Sequence, residues 1–167
     1  MRRISLVLGV VLALFMLPAA AQSLNEVSIF GSWDDVREPS DIEQTTIHLR
    51  YGRYMTPQIV ATAGISRTSF DGSGVDFTMT SLTIGGKYYF AERRASAIVP
   101  FADVAIGVAA TDAPGQDGTD FTWELGGGAA FFLTETTSVD ASIRYYNTST
   151  DVTTKGIRMF LGLTARF

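Results

Sequence analysis

Lys155-Gly156-Ile157-Arg158-Met159-Phe160-Leu161-Gly162-Leu163-Thr164-Ala165-Arg166-Phe167 closes the chain and decides how the rest of it is read. Ile157, Met159, Leu161, Leu163, Ala165 and Phe167 share one parity, while Gly156, Arg158, Phe160, Gly162, Thr164 and Arg166 share the other. A period of two marks an extended strand with two unlike faces, because successive side chains point to opposite sides of the pleat. One face is apolar throughout. The other mixes small residues with charges.

The same pattern recurs upstream. Period-two runs cover Glu26 to Asp34, Thr45 to Tyr54, Gln58 to Phe70, Phe77 to Phe90, Ile98 to Ala109, Phe121 to Leu133 and Ser138 to Tyr146, which with Lys155 to Phe167 makes eight. Clusters of Gly, Pro, Asp, Ser and Thr separate them, and no stretch carries the 3.6 period of a helix. The chain of 167 residues is therefore read as one all-β unit. Composition removes other classes. With no Cys there is neither a disulfide framework nor a thiolate zinc site, and a net charge of −4 gives no basic footprint for nucleic acid.

Two architectures accommodate eight such strands: a soluble barrel with its apolar face inside, and a membrane barrel with that face outside. The mixed face decides between them. Thr46, His48, Arg50 and Gly52 oppose Ile47, Leu49 and Tyr51; Ser138, Asp140, Ser142, Arg144 and Tyr146 oppose Val139, Ala141, Ile143 and Tyr145. Small residues with mid-strand charges suit the narrow interior of an eight-stranded barrel, and an outer surface of Leu, Ile, Val and aromatics suits lipid. A soluble periplasmic ligand-binding barrel, with Arg50, Lys87, Glu124 and Arg158 facing solvent, is the competing reading. Aromatics gather at the ends of the runs, as an interfacial girdle requires, and the candidate members are Trp33, Tyr54, Phe90, Phe121, Trp123, Phe132 and Tyr145.

Met1-Arg2-Arg3, the apolar run from Ile4 to Leu17 and Ala19-Ala20-Ala21 before Gln22 read as a secretory signal peptide over residues 1–21, leaving residues 22–167 as the barrel domain. The apolar run is shorter than the roughly 20 residues a membrane-spanning helix needs. Short links at Met55-Thr56-Pro57 and Thr134 to Thr137 are assigned to the periplasmic side. Longer polar segments, Asp35 to Gln44, Asp71 to Asp76, Ala110 to Asp120 and Asn147 to Thr154, are assigned to outer loops.

These residues resemble a known family. The signal segment, the eight amphipathic runs, Val99-Pro100-Phe101-Ala102-Asp103-Val104-Ala105-Ile106-Gly107-Val108 and the terminal Phe167 are similar to the small outer-membrane β-barrel proteins of Gram-negative bacteria, in the branch of the OmpA transmembrane domain and OmpX. The resemblance implies an all-β, eight-stranded, antiparallel up-and-down transmembrane β-barrel in the cell outer membrane. It implies Phe167 as the signal offered to the barrel-assembly machinery, although Ala165 stands where an aromatic is often found. It also implies outer-membrane lipid and lipopolysaccharide as surroundings and a monomeric state. Because the sequence stops at Phe167, no appended peptidoglycan-binding domain is expected.

On the inward parity, Arg50, Lys87, Asp103, Glu124, Arg144 and Arg158 form a candidate interior charge network. Charges inside a barrel surrounded by lipid need partners. Glu124 is expected to meet Arg144 and Arg158 near one end, and Lys87 to meet Asp103 lower down. No catalytic, cofactor-binding or metal site is assigned. The only histidine, His48, lies on the inward parity with Arg50 two places on, so the His and Ser pair of the lipid A deacylases is missing, and no G-x-S-x-G elbow occurs. Gly126-Gly127-Gly128 sits in a strand pattern with no helix after it, and Asp112, Asp117 and Asp120 surround turn residues. The expected function is structural or surface-interacting, with a closed, salt-bridged interior and no catalysis; the alternatives are a narrow porin-like channel and the soluble barrel.

Overall fold

In the computed structural model, residues 25–36, 42–71, 77–91, 97–113, 116–149 and 154–167 are described, with side chains left aside at 33–36, 42–43, 112–113, 116–117 and 154. The signal peptide expected over residues 1–21 lies outside the described residues. Eight strands follow one another: β1 (Asn25–Val36), β2 (Ile42–Tyr54), β3 (Ile59–Asp71), β4 (Phe77–Tyr89), β5 (Ile98–Ala113), β6 (Gln116–Phe132), β7 (Thr137–Ser149) and β8 (Thr154–Arg166). Each pairs antiparallel with its neighbours in sequence, and β8 returns to β1 to close the barrel. The fold expected from the alternation is the one observed.

Closure fixes a stagger. Successive partners from Glu26 are Gly52, Thr62, Gly85, Ala105, Glu124, Tyr146 and then Gly156, whereas the partner of Glu26 on β8 is Arg166, so one circuit shifts the register by ten residues (166 − 156 = 10). Strands so staggered must tilt, and side chains at equal distances from their strand ends stand at unequal heights.

Two links at the end that carries Asn25 and Phe167, here the terminus end, use one device. Thr56 Oγ1 accepts from the backbone N–H groups of Gln58 (3.3 Å) and Ile59 (3.0 Å), and Thr134 Oγ1 accepts from those of Thr136 (3.2 Å) and Thr137 (3.0 Å). Both are the tight turns read from the sequence. At the far end one expectation fails. Ala110 to Asp120 is not a loop, because β5 continues to Ala113 and β6 starts at Gln116, its opposite. β5 and β6 keep pairing through Ala113 opposite Gln116 despite the polar sequence.

The faces sort as alternation requires. Ile47, Leu49, Ile65, Leu125, Ile157, Met159 and Leu161 are exposed on the outside, Met159 to 68% and Ile157 to 67%, while Ser28, Thr46, His48, Lys87, Ser138, Asp140, Arg144 and Thr164 are buried inside. A water-soluble protein does not present such a belt while burying its charges.

Candidate functional site inside the barrel

An eight-stranded interior barely holds its own side chains, so room must be made for arginine, tyrosine and phenylalanine. Inward glycines make it. A Cβ on Gly52 would lie 2.7 Å from Glu26 Cγ, one on Gly126 at 2.5 Å from Arg144 Cγ, and one on Gly156 at 2.8 Å from the Tyr146 hydroxyl. On Gly162 it would collide with the Phe30 ring. Each of these glycines is the direct cross-strand partner of the large residue it accommodates.

The terminus end holds a closed network centred on Glu26. Lys87 Nζ donates to Glu26 Oε1 at 2.7 Å, the Tyr54 hydroxyl donates to Oε2 at 2.7 Å, the Tyr89 hydroxyl donates to Oε2 at 3.1 Å, and Arg166 Nε stands 3.5 Å from Oε2. Arg166 also donates to the Tyr89 hydroxyl at 3.0 Å and to Ser138 Oγ at 2.9 Å; Ser138 Oγ and Thr164 Oγ1 donate to Asp140 at 2.5 and 2.9 Å. Lys87 lies 3.7 Å from Asp140. Two cations thus meet two anions with the hydroxyls filling the gaps. Ionised groups satisfied in this way tolerate burial that would otherwise cost several kcal/mol each. Beside them Tyr54, Val60, Tyr89, Val99, Phe101 and Ala130 pack into an apolar cluster.

Mid-barrel, Asp103 is the hub. Arg50 Nη1 donates to its Oδ2 at 2.5 Å and Arg144 Nη2 lies 3.2 Å from the same oxygen. Arg144 also faces His48 Nδ1 at 3.3 Å and stands over the Phe30 and Phe160 rings, 5.0 and 4.8 Å from their centres. Cation–π contact of this kind favours a guanidinium that is away from water. Nearer the far end, Arg158 packs 3.8 Å above the Tyr146 ring, donates to Thr68 Oγ1 at 3.4 Å and donates to the Gln44 amide oxygen through Nε and Nη2, the amide being oriented by that contact.

All six residues expected in the network point inward, but the pairing differs from the expectation. Lys87 and Asp103 are cross-strand partners, yet Lys87 reaches Glu26 and Asp140 while Asp103 takes Arg50 and Arg144. The lumen is narrow enough for a long side chain to cross it, so adjacency in the sheet does not fix the partner. Glu124 forms no ion pair with Arg144 or Arg158 among the described residues, and its Oε2 is buried without a hydrogen-bond partner. Its cross-strand partner is Tyr146, whose ring holds Arg158, and Arg144 turns to Asp103 instead. Sequence reasoning missed Glu26, Asp140 and Arg166 as network members. Their inward parity was the available signal, but they lie close to strand ends where no height could be assigned.

The proposed girdle divides. Phe90 and Phe121 are exposed on the outside, and Trp123 packs against Tyr145 with ring centres 5.3 Å apart. Tyr54 and Phe132 are corrected: Tyr54 is buried inside on Glu26, and Phe132 packs against the inner apolar cluster beneath Arg166, whose guanidinium is 4.6 Å from its ring centre. Both have the inward parity of their strands, which overrides their position at a strand end. The Trp33 side chain lies outside the described residues, as do those of Asp112 and Asp117. Phe167 is exposed, and its backbone pairs with Asn25 at 2.6 and 3.0 Å across the closing seam.

Comparison with known proteins gives the same architecture. A family model described as outer membrane protein beta-barrel domain matches residues 7–167. Among solved structures the chain is similar to Neisserial surface protein A (13% identity, 87% of this chain and 96% of that one covered, TM-score 0.61). It is similar to the N-terminal β-barrel domain of Pseudomonas aeruginosa OprF (17% identity, 87% and 100% covered, TM-score 0.58). A third likeness is to the Yersinia pestis outer membrane protein Ail (18% identity, 87% and 100% covered, TM-score 0.58). No curated protein sequence matches the chain.

Proposed function

The chain belongs to the outer membrane protein β-barrel family, and from that premise we propose that it is an integral outer-membrane barrel with a structural or surface-interaction role, closed inside and without catalysis. In this reading residues 1–21 direct secretion, Phe167 is presented to the barrel-assembly machinery, and the mature barrel stands as a monomer among outer-membrane lipid and lipopolysaccharide. The observation that carries it is the Glu26 network. Glu26, Lys87, Asp140 and Arg166, joined by Tyr54 and Tyr89, fill the lumen at one end with bonded side chains. His48 is buried beside Arg144 and offers no nucleophile a proton-accepting partner on the lipid-facing surface, which supports the non-catalytic reading.

Refolded protein in planar bilayers tests the closed interior. Electrically silent membranes are the expected result; steady ohmic conductance would establish the channel reading instead. That second reading has one observation in its favour: mid-barrel, Arg50 and Arg144 share the carboxylate of Asp103. A conducting barrel should therefore prefer anions. Fractionation with unheated and boiled denaturing gels tests the membrane reading. A heat-dependent shift in the outer-membrane fraction is expected, and a soluble periplasmic protein without one overturns it.

A further inference from the structure

The outer face is not aromatic all the way round at the far-end edge of its apolar belt. On β6 and β7 that edge carries Trp123 and Tyr145, packed together. On β3 it carries Arg67, which is exposed. The rung through Arg67 passes Ile47 and reaches β1 at Gly31, whereas the rung through Trp123 passes Ile106, Ile84, Ala63 and Tyr51 and reaches β1 at Val27, four residues nearer the terminus end. The stagger of ten residues over eight strands lifts a rung by about four residues across the three steps from β3 to β6. The two effects cancel, and Arg67 stands level with Trp123, where an interface between hydrocarbon and head groups would lie.

The surroundings of Arg67 are sorted by direction. Beside it and toward the terminus end lie Ile47, Leu49, Ile65 and Leu82, all exposed. Beside it and toward the far end lie Thr45, Ser69, Thr78 and Thr80. These eight are its neighbours on the outer face: the partners on β2 and β4, the next residues of its own parity on β3, and the diagonals. All eight side chains are described, and none is a carboxylate. Asp71 is four residues further along β3, about 13 Å at the rise of a strand, and forms no ion pair with Arg67 among the described residues. A cation thus stands between an aliphatic patch and a hydroxyl patch, both spread over the same three strands.

We propose that this outer face of β2, β3 and β4 is a lipid-facing site for a phosphorylated, acylated sugar of the outer leaflet. Its phosphate sits on the Arg67 guanidinium, whose fork of donors matches phosphate oxygens. Its sugar rings cover the hydroxyls of Thr45, Ser69, Thr78 and Thr80, and its acyl chains run along Ile47, Leu49, Ile65 and Leu82. Breadth supports a sugar head over that of a simple phospholipid: two strand spacings make the hydroxyl patch about 10 Å wide, more than one phosphodiester covers. The inference rests on the membrane reading above and gives one lipid contact within it a place on the barrel.

The test places the refolded barrel in phosphatidylcholine nanodiscs and titrates it with diphosphoryl lipid A. Arg67→Gln should weaken binding about tenfold. Lys155→Gln is the comparison, because Lys155 is an exposed cation near the far end of β8, and it should change binding by less than about twofold. Lipid A stripped of both phosphates should bind the unmodified barrel as weakly as the diphosphoryl form binds Arg67→Gln, a comparison that stands even if the variant does not fold. Amide shifts on titration should gather in residues 45–49, 65–69 and 78–82 and not around Trp123. Unchanged affinity in Arg67→Gln overturns the site. Equal losses in the Arg67 and Lys155 variants mean diffuse attraction between cations and head groups and also overturn it. Phosphatidylglycerol competing as well as lipid A overturns the assignment of a sugar head. The heat-shift gel tests the membrane reading separately, so a folded membrane barrel without this site is distinguishable from a soluble protein.

Discussion

Arg144 is almost wholly buried because its neighbour opposite is a glycine. Its side chain runs across Gly126, where a Cβ would come within 2.5 Å of Arg144 Cγ and 2.6 Å of Asp103 Oδ1. Gly126→Ala should therefore displace both members of the mid-barrel ion pair and destabilise the barrel by about 1–3 kcal/mol in urea unfolding from lipid vesicles. Gly86→Ala is the control, since the nearest atom is 3.7 Å away, and it should be neutral within about 0.5 kcal/mol. A second residue-scale test concerns Glu26. Glu26→Gln leaves Lys87 and Arg166 buried with one anion, Asp140, in reach, so a loss of about 3–5 kcal/mol is expected in the same assay. A loss under 1 kcal/mol would show that the network is hydrated and weak. At this scale the sequence told which charges point inward and no more. Glu124 and Arg158 looked like partners until the register put the Tyr146 ring beside Glu124.

The two turns at the terminus end show how an element is fixed by a few atoms. Met55 N donates to Ile59 O at 2.8 Å and Leu133 N to Thr137 O at 2.9 Å, with Thr56 and Thr134 each accepting two further backbone N–H groups. Thr56→Ala and Thr134→Ala each remove one hydroxyl that serves two donors. Each should cost about 1 kcal/mol, measured as a lower urea midpoint with unchanged slope; Thr→Ser should retain the bonds. Here the Thr and Pro chemistry was legible in the sequence. The β5–β6 hairpin was not, because the polar Ala110–Asp120 segment reads as a loop until the partner strand supplies a ladder. β propensity is set by cross-strand context more than by the residues themselves.

Across the whole molecule, the outer belt makes a depth-dependent prediction. Leu161 lies mid-way along β8 and Ile59 is the first residue of β3, both outward and exposed. Leu161→Arg should destabilise the barrel in vesicles by about 2–4 kcal/mol and Ile59→Arg by about 0–1 kcal/mol. Equal effects in lipid would contradict the belt. What the sequence by itself determined was periodicity: strict alternation fixed eight strands, named the lipid face and placed Arg50, Lys87, Asp103, Arg144 and Arg158 inside, because a strand has two faces and only one of them carried apolar residues alone. Only the tertiary structure decided who meets whom. A circuit staggered by ten residues sets heights that no single strand encodes, and a lumen narrow enough for Lys87 to reach from β4 to Glu26 on β1 lets charges pair across it. The same closure decided that the β1–β8 seam, formed by the two strands farthest apart in the chain, carries the shortest ladder.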